Sequence, residues 1–66
     1  MDYIAERRLE EKERRRAEIL DAALRVAGQS GIEGLTMEQV AREARLSRGL
    51  LYVYFRDRTD LHHGLC

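Results

Sequence analysis

Apolar residues are sparse over the first eighteen positions of the chain and then become regular. From Ile19 onward they recur at the helical period. Ile19, Ala23, Val26 and Ala27 fall on one face, with Leu20 and Leu24 beside it. This predicts a helix over residues 19–29. Ser30 and Gly31 end it, because glycine suits the left-handed position beyond a helix C-terminus. Residues 32–35 are a short connection. Thr36 followed three residues later by Gln39 is a capping box: the hydroxyl satisfies one free amide and the glutamine reaches back to another. A second helix is therefore expected over Met37 to Ala44, with Val40, Ala41 and Ala44 buried. Arg45, Leu46 and Ser47 form a turn, and Ser47 is a favourable N-cap for a third helix over Arg48 to Phe55. Leu51, Tyr52 and Phe55 stand at its inward-facing spacing, Tyr52 keeping its hydroxyl in water, and Tyr54 is expected to face outward. Residues 56–59 interrupt the pattern. Asp57 or Thr59 then caps a fourth helix that holds Leu61 and Leu65.

The first eighteen residues read differently. They contain six acids and six bases, and Glu10 with Arg14 and Glu11 with Arg15 lie at the helix-stabilising spacing of four. With little to bury, the segment is expected to be a solvated or frayed helix. The chain thus divides into a charged extension over 1–14 and a helical domain over 15–66. A sharper reading of the extension makes it an arm whose Arg14, Arg15 and Arg16 touch a nucleic-acid backbone.

Composition narrows the class. The 66 residues include no proline and a single cysteine, Cys66, so a disulfide framework is excluded. A chain of this size is one domain, burying only about 60% of the surface that its unfolded form exposes. No apolar run is long enough for a membrane span or a signal-peptide core, and strand patterning is nearly absent. The class is all-α. Net charge is zero although 36% of residues are charged, so charge alone announces no partner. Between Thr36 and Arg58, five arginines (42, 45, 48, 56, 58) face three acids (Glu38, Glu43, Asp57), an excess of two positive charges. Arg25 and Arg42 follow Asp21 and Glu38 by four residues and are expected to be solvated helix pairs.

Two short helices separated by about three residues, after a longer first helix, describe a helix-turn-helix. Small Ala41 sits where the third helix must cross the second, and Leu46 plugs the core from the turn. The outer face of the third helix is then free to enter a DNA major groove, which is wide enough for one α-helix.

Three stretches resemble the DNA-binding domain of the Tet-repressor family. They are Ile19-Leu20-Asp21-Ala22-Ala23-Leu24, Gly34-Leu35-Thr36-Met37-Glu38-Gln39-Val40-Ala41, and Leu46-Ser47-Arg48-Gly49-Leu50-Leu51-Tyr52-Val53-Tyr54-Phe55. Arg58 to Leu61 is similar to the start of the family's fourth helix. The resemblance covers about residues 15–65 and implies a three-helix helix-turn-helix bundle with the start of a fourth helix. It implies sequence-specific binding of double-stranded DNA in transcriptional control, most readily repression. By the same resemblance Arg48, Gly49 and Leu50 contact bases, and Thr36, Tyr52, Tyr54 and Arg58 contact phosphates. Arg45 and Val53 are secondary DNA contacts. The recognition helix is Arg48–Phe55, and the operator is a near-palindrome read by a homodimer.

Some positions depart from the family pattern. Ala27 and Gly28 stand where a phenylalanine and a small residue are common, which implies a smaller first-helix contact. Arg58 stands where lysine is usual. The family's large carboxyl-terminal effector and dimerisation domain has no counterpart in these residues, so the isolated chain is expected to bind DNA weakly or undetectably. A cytoplasmic, nucleoid-associated protein is implied, with no membrane partner. The rival reading is a small helical protein-interaction module, or a remnant without DNA-binding activity of its own. No enzyme is expected, since the chain is too short for a sheltered pocket and offers no nucleophile with a positioned base. No cofactor or metal is expected either: His62 and Cys66, four apart, supply two ligands where a closed zinc site needs four.

Overall fold

In the computed structural model, which describes residues 3–66, the chain forms four helices: α1 (Tyr3–Ser30), α2 (Met37–Ala44), α3 (Arg48–Tyr54) and α4 (Arg58–Leu65). No strand occurs among the described residues. The first two residues of the expected extension lie outside the described residues. The rest of it is helical and continues into the predicted first helix without a break, so α1 has 28 residues. At 1.5 Å per residue that is about 42 Å. It accounts for the 44 Å long axis of a molecule only 23 and 17 Å across the other two. Every described residue before Ile19 is exposed, so the front half of α1 projects beyond the packed part.

Burial starts at Ile19. Ile19, Ala23 and Val26 of α1 meet Leu35, Met37, Val40 and Ala41, then Leu51 and Phe55, then Leu61 of α4. Each large member, fully removed from water, contributes about 1.5–3 kcal/mol. Leu46 packs against this cluster from the turn, as does Leu65 from α4. α1 packs on α2 and α4, and α2 on α3. On α2 the buried face is Met37, Val40 and Ala41, whereas Ala44, expected inside, is half-buried. Met37 precedes Val40 by three and Ala41 by four, so all three share one stripe.

The helix ends follow local chemistry. Gly31 takes φ +82° and its amide donates to the Ala27 carbonyl at 2.8 Å, ending α1. Thr36 Oγ1 accepts from the Gln39 amide at 3.2 Å, and Gln39 Oε1 accepts from the Thr36 amide at 3.0 Å. Ser47 Oγ accepts from the Leu50 amide at 3.1 Å. Of the two caps considered for α4, Asp57 is the one used: its Oδ1 accepts from the Asp60 amide at 2.8 Å. α2 ends at Arg45, a non-glycine residue at φ 58°, ψ 44°. The Arg45 amide donates to Arg42 O at 3.2 Å and the Leu46 amide to Ala41 O at 2.9 Å, a Schellman closure that turns the chain towards α3.

α3 is one residue shorter than expected. Phe55 is its C-cap, extended at φ −135°, ψ 122°, and this drops the ring into the core at 1% exposure. The two tyrosines exchange the positions expected for them. Tyr52 is exposed, at 42%, while Tyr54 is half-buried and packs against the core. Tyr54 follows the buried Leu51 by three residues and shares its side of the helix, whereas Tyr52 follows it by one and is turned about 100° away.

The ion pairs also differ from expectation. Among the described residues, Arg15 pairs with Glu18 (3.9 Å), not Glu11; Arg25 pairs with Glu43 of α2 (3.4 Å), not Asp21; and Glu38 pairs with Arg48 of α3 (3.1 Å), not Arg42. Two of the three link separate helices. Neighbouring helices bring opposite charges as close as one helix face does, and spacing along the chain cannot register that.

Candidate nucleic-acid interface

α3 positions most of the residues singled out for DNA contact. Ser47 fixes its start, Leu51 and the following Phe55 anchor it to the core, and the turn 45–47 holds it against α2. With Leu51 inward, Gly49 and Val53 lie opposite it with Tyr52 beside them, while Arg48, three residues before Leu51, stands at the edge of this outward face. Val53 is 67% exposed, and a Cβ added at Gly49 would meet open space. Leu50, at 38% exposure, stands at the border of that face.

Arg48 extends from the first turn of α3. Its Nη1 lies 3.1 Å from Glu38 Oε1, both side chains being mostly in solvent. Exposed pairs of this kind contribute about 0.2–1 kcal/mol. The guanidinium is therefore held in place but easily released to a better acceptor. Glu38 itself occupies the first turn of α2, where a carboxylate is favoured by the helix dipole. It also adds negative charge beside Thr36, at the helix start assigned to phosphate.

The remaining candidate residues have other surroundings. Thr36 is exposed at the start of α2, its hydroxyl already accepting the Gln39 amide. Tyr54 has its ring against the core, so less of it is presented outward than of Tyr52. Arg58, at the start of α4, is engaged within the chain: its Nη2 donates to the carbonyl of Ile32 at 3.2 Å and to that of Glu33. Those carbonyls belong to the connection between α1 and α2, where no helix supplies donors. The guanidinium ties that loop to α4, a structural duty that no pattern in the sequence signals. Arg45 lines an open groove with Gln29 and Ser30 at the end of α1 and Gln39 and Arg42 of α2. At the far end, His62 is half-buried and His63 and Cys66 are exposed. Among the described residues no three His, Cys, Asp or Glu side chains are grouped to hold a metal ion, and no helix is long and apolar enough to cross a membrane.

The arrangement is a capped short helix, packed on a second through a tight turn, with an outer face that is polar at one end and aromatic and aliphatic at the other. The model of the bacterial regulatory proteins of the tetR family matches residues 19–65, which is α1 from its first buried residue to the last residue of α4. This chain belongs to that family. Among its relatives, the HTH-type transcriptional regulator AcrR of Shigella flexneri is 34% identical over 58 residues, covering 88% of this chain and 27% of the relative. The HTH-type transcriptional regulator HbdR of Aromatoleum sp. (strain CIB) is 43% identical over 49 residues, covering 74% of this chain and 21% of the relative. The HTH-type transcriptional regulator BetI of Paraburkholderia phymatum is 42% identical over 50 residues, covering 76% and 26% respectively. This tetR-family chain thus spans about a quarter of the length of the curated relatives it matches. The family model begins at Ile19, whereas the 58 residues aligned with AcrR also take in part of the exposed front half of α1.

Proposed function

We propose that this chain binds double-stranded DNA sequence-specifically as the helix-turn-helix portion of a transcriptional regulator, most readily a repressor, acting in the cytoplasm on the nucleoid. The observation that supports this most directly is the outward face of α3, anchored from behind by Leu51 and Phe55. An α-helix with its side chains is about 10–12 Å across. The major groove is about 12 Å wide. With α3 seated there, Arg48 leaves Glu38 and donates two hydrogen bonds to O6 and N7 of a guanine, an interaction that discriminates by about 1–3 kcal/mol. Gly49 lets the helix start come close, and Leu50 offers apolar contact to a thymine methyl. Val53 extends the same surface.

Phosphates flank the groove on both sides. The Tyr52 hydroxyl reaches one, and the start of α2 at Thr36 presents amides to another. Tyr54 and Arg58 contribute from the rim, Arg58 with the nitrogens not spent on the Ile32 and Glu33 carbonyls. Arg45 is a further contact at the turn. The regulator acts as a homodimer on a near-palindromic operator, with half-sites about one helical turn, 34–36 Å, or a multiple of that apart. No catalytic role is assigned to it.

The test is a selection from a pool of randomised duplexes, followed by sequencing of the bound fraction, with the wild-type chain and Arg48→Ala. Wild type should enrich a motif containing a guanine, and Arg48→Ala should flatten the preference at that base while leaving binding to the pool detectable. Enrichment of the same motif by both proteins would refute the assignment of Arg48. A wild-type chain that binds no DNA at low salt would refute the function.

A further inference from the structure

The exposed half of α1 carries two cations, Lys12 and Arg16, beside α3. An open groove of about 320 Å³ runs between the two helices, lined by Leu9, Lys12, Glu13 and Arg16 of α1 and by Val53 and Tyr54 of α3. Lys12 and Arg16 are four residues apart and therefore project from one face of α1. Arg16 leans on the core: its guanidinium carbon lies 5.1 Å from the centroid of the buried Phe55 ring, close also to Gly64 of α4. Among the described residues neither Lys12 nor Arg16 has a carboxylate within 4 Å. Arg15, by contrast, is paired with Glu18 and lies off the groove. Val53 belongs both to this groove and to the outward face of α3, so the groove opens beside the surface that meets the DNA.

We propose that Lys12 and Arg16 form a backbone-phosphate subsite for the DNA strand lying against Val53 and Tyr54, which extends the interface along α1. This inference rests on the DNA-binding reading above. It separates the cations of the extension by geometry. Lys12 and Arg16 serve the subsite, and Arg14 and Arg15 do not. Arg16 brings a planar donor fork suited to two phosphate oxygens, and Lys12 a mobile point charge that follows the strand. Glu13 lowers the local positive potential in the same groove and tempers the attraction. The contact carries no sequence information, because a phosphate is the same at every step.

The experiment measures affinity for a labelled pool of randomised duplexes over a series of salt concentrations. It uses the whole 66-residue chain and the variants Lys12→Gln, Glu13→Gln and Arg14→Gln. Each lost phosphate contact reduces the slope of log affinity against log salt by about 0.9. Lys12→Gln should do so and weaken binding evenly across sequences, Glu13→Gln should tighten binding, and Arg14→Gln should change the slope by less than half as much as Lys12→Gln. Lys12 makes no contact with the core, so Lys12→Gln keeps the test independent of folding. Arg16→Gln would add a loss of packing on Phe55. A steep wild-type slope left unchanged by Lys12→Gln, or reduced equally by Arg14→Gln, overturns the subsite and leaves the recognition helix standing. A wild-type chain with no salt-dependent binding overturns the DNA reading itself, and the subsite with it.

Discussion

The two halves of α1 are one continuous helix held by different forces. From Ile19 to Val26 the helix has a buried stripe and is fastened to α2 and α4. From Tyr3 to Glu18 every residue is exposed, and the helix persists on local terms: intrahelical hydrogen bonds, good helix formers such as Glu, Arg, Lys and Ala, and side-chain contacts within one or two turns. Arg15 with Glu18, and Arg7 over the Tyr3 ring at 5.7 Å, are contacts of that kind. Such pairs stabilise a helix by only about 0.2–0.5 kcal/mol each. An isolated helix of this length is marginal in water. The front half is therefore an extension nucleated by the packed half, and its charges, not its packing, carry whatever it does.

The largest expected effect tests this contrast directly. Phe55→Ala removes a ring at the centre of the bundle and should cost about 3–5 kcal/mol. Over 66 residues, a stability of about 0.05–0.15 kcal/mol per residue amounts to roughly 3–10 kcal/mol, so the variant should lose about half of it or more and unfold at a much lower urea concentration. Leu9→Ala, in the front half and 57% exposed, should stay within about 0.5 kcal/mol of wild type. Urea unfolding followed by circular dichroism measures both. Equal losses from the two substitutions would mean that Leu9 is part of the core, and the division of α1 would be wrong.

The next effect lies where the two halves meet. Gly64 of α4 comes so close to α1 that an added Cβ would stand 3.0 Å from Leu20 Cδ2, 3.3 Å from an Arg16 guanidinium nitrogen and 3.2 Å from Phe55 Cε1. Leu20 and Arg16 end in flexible chains that can move aside, but the Phe55 ring is locked in the core. Gly64→Ala should therefore be overpacked, at a cost of about 1–3 kcal/mol. Up to about 1 kcal/mol of better helix propensity offsets this, for a net loss near 1 kcal/mol. The urea midpoint should fall with an unchanged slope. A rise in the midpoint would show that the seam between α1 and α4 yields freely.

What the sequence made legible divides along the same line between local and non-local causes. Thr36 with Gln39, Ser47 and Asp57 could each be read as caps because partner and acceptor lie three residues apart. The stripe Ile19, Ala23, Val26 was readable for a similar reason. The partners of Glu38 and Arg25 are not legible in this way, because they sit on another helix and come close only through the packing of α2 against α1 and α3. Tyr52 and Tyr54 exchange places because Phe55 reaches the core from extended backbone, so helical spacing to Phe55 does not turn Tyr52 inward. At the candidate site, helical spacing puts Gly49 and Val53 opposite the buried Leu51. The attachment of Arg58 to the Ile32 and Glu33 carbonyls, and the groove that joins Lys12 to Val53, exist only in three dimensions.

The smallest effect concerns a place where the bundle overrides local preference, in contrast to the front half of α1, which is held mainly by local terms. Arg45 is the one non-glycine residue with positive φ among those described, and it sits in the turn that aims α3. A side chain in that conformation costs about 1–2 kcal/mol through crowding of its Cβ against the backbone. Glycine avoids the crowding but loses more freedom on folding, which returns part of the gain. Arg45→Gly should thus stabilise the chain by about 0.5–1 kcal/mol, raising the urea midpoint. DNA affinity reads the other side of the substitution. If Arg45 contacts a phosphate, the more stable variant should bind more weakly, with a salt slope smaller by about 0.9. Stability and affinity rising together would mean that the arginine contributes only strain, and that the turn gains nothing from its charge.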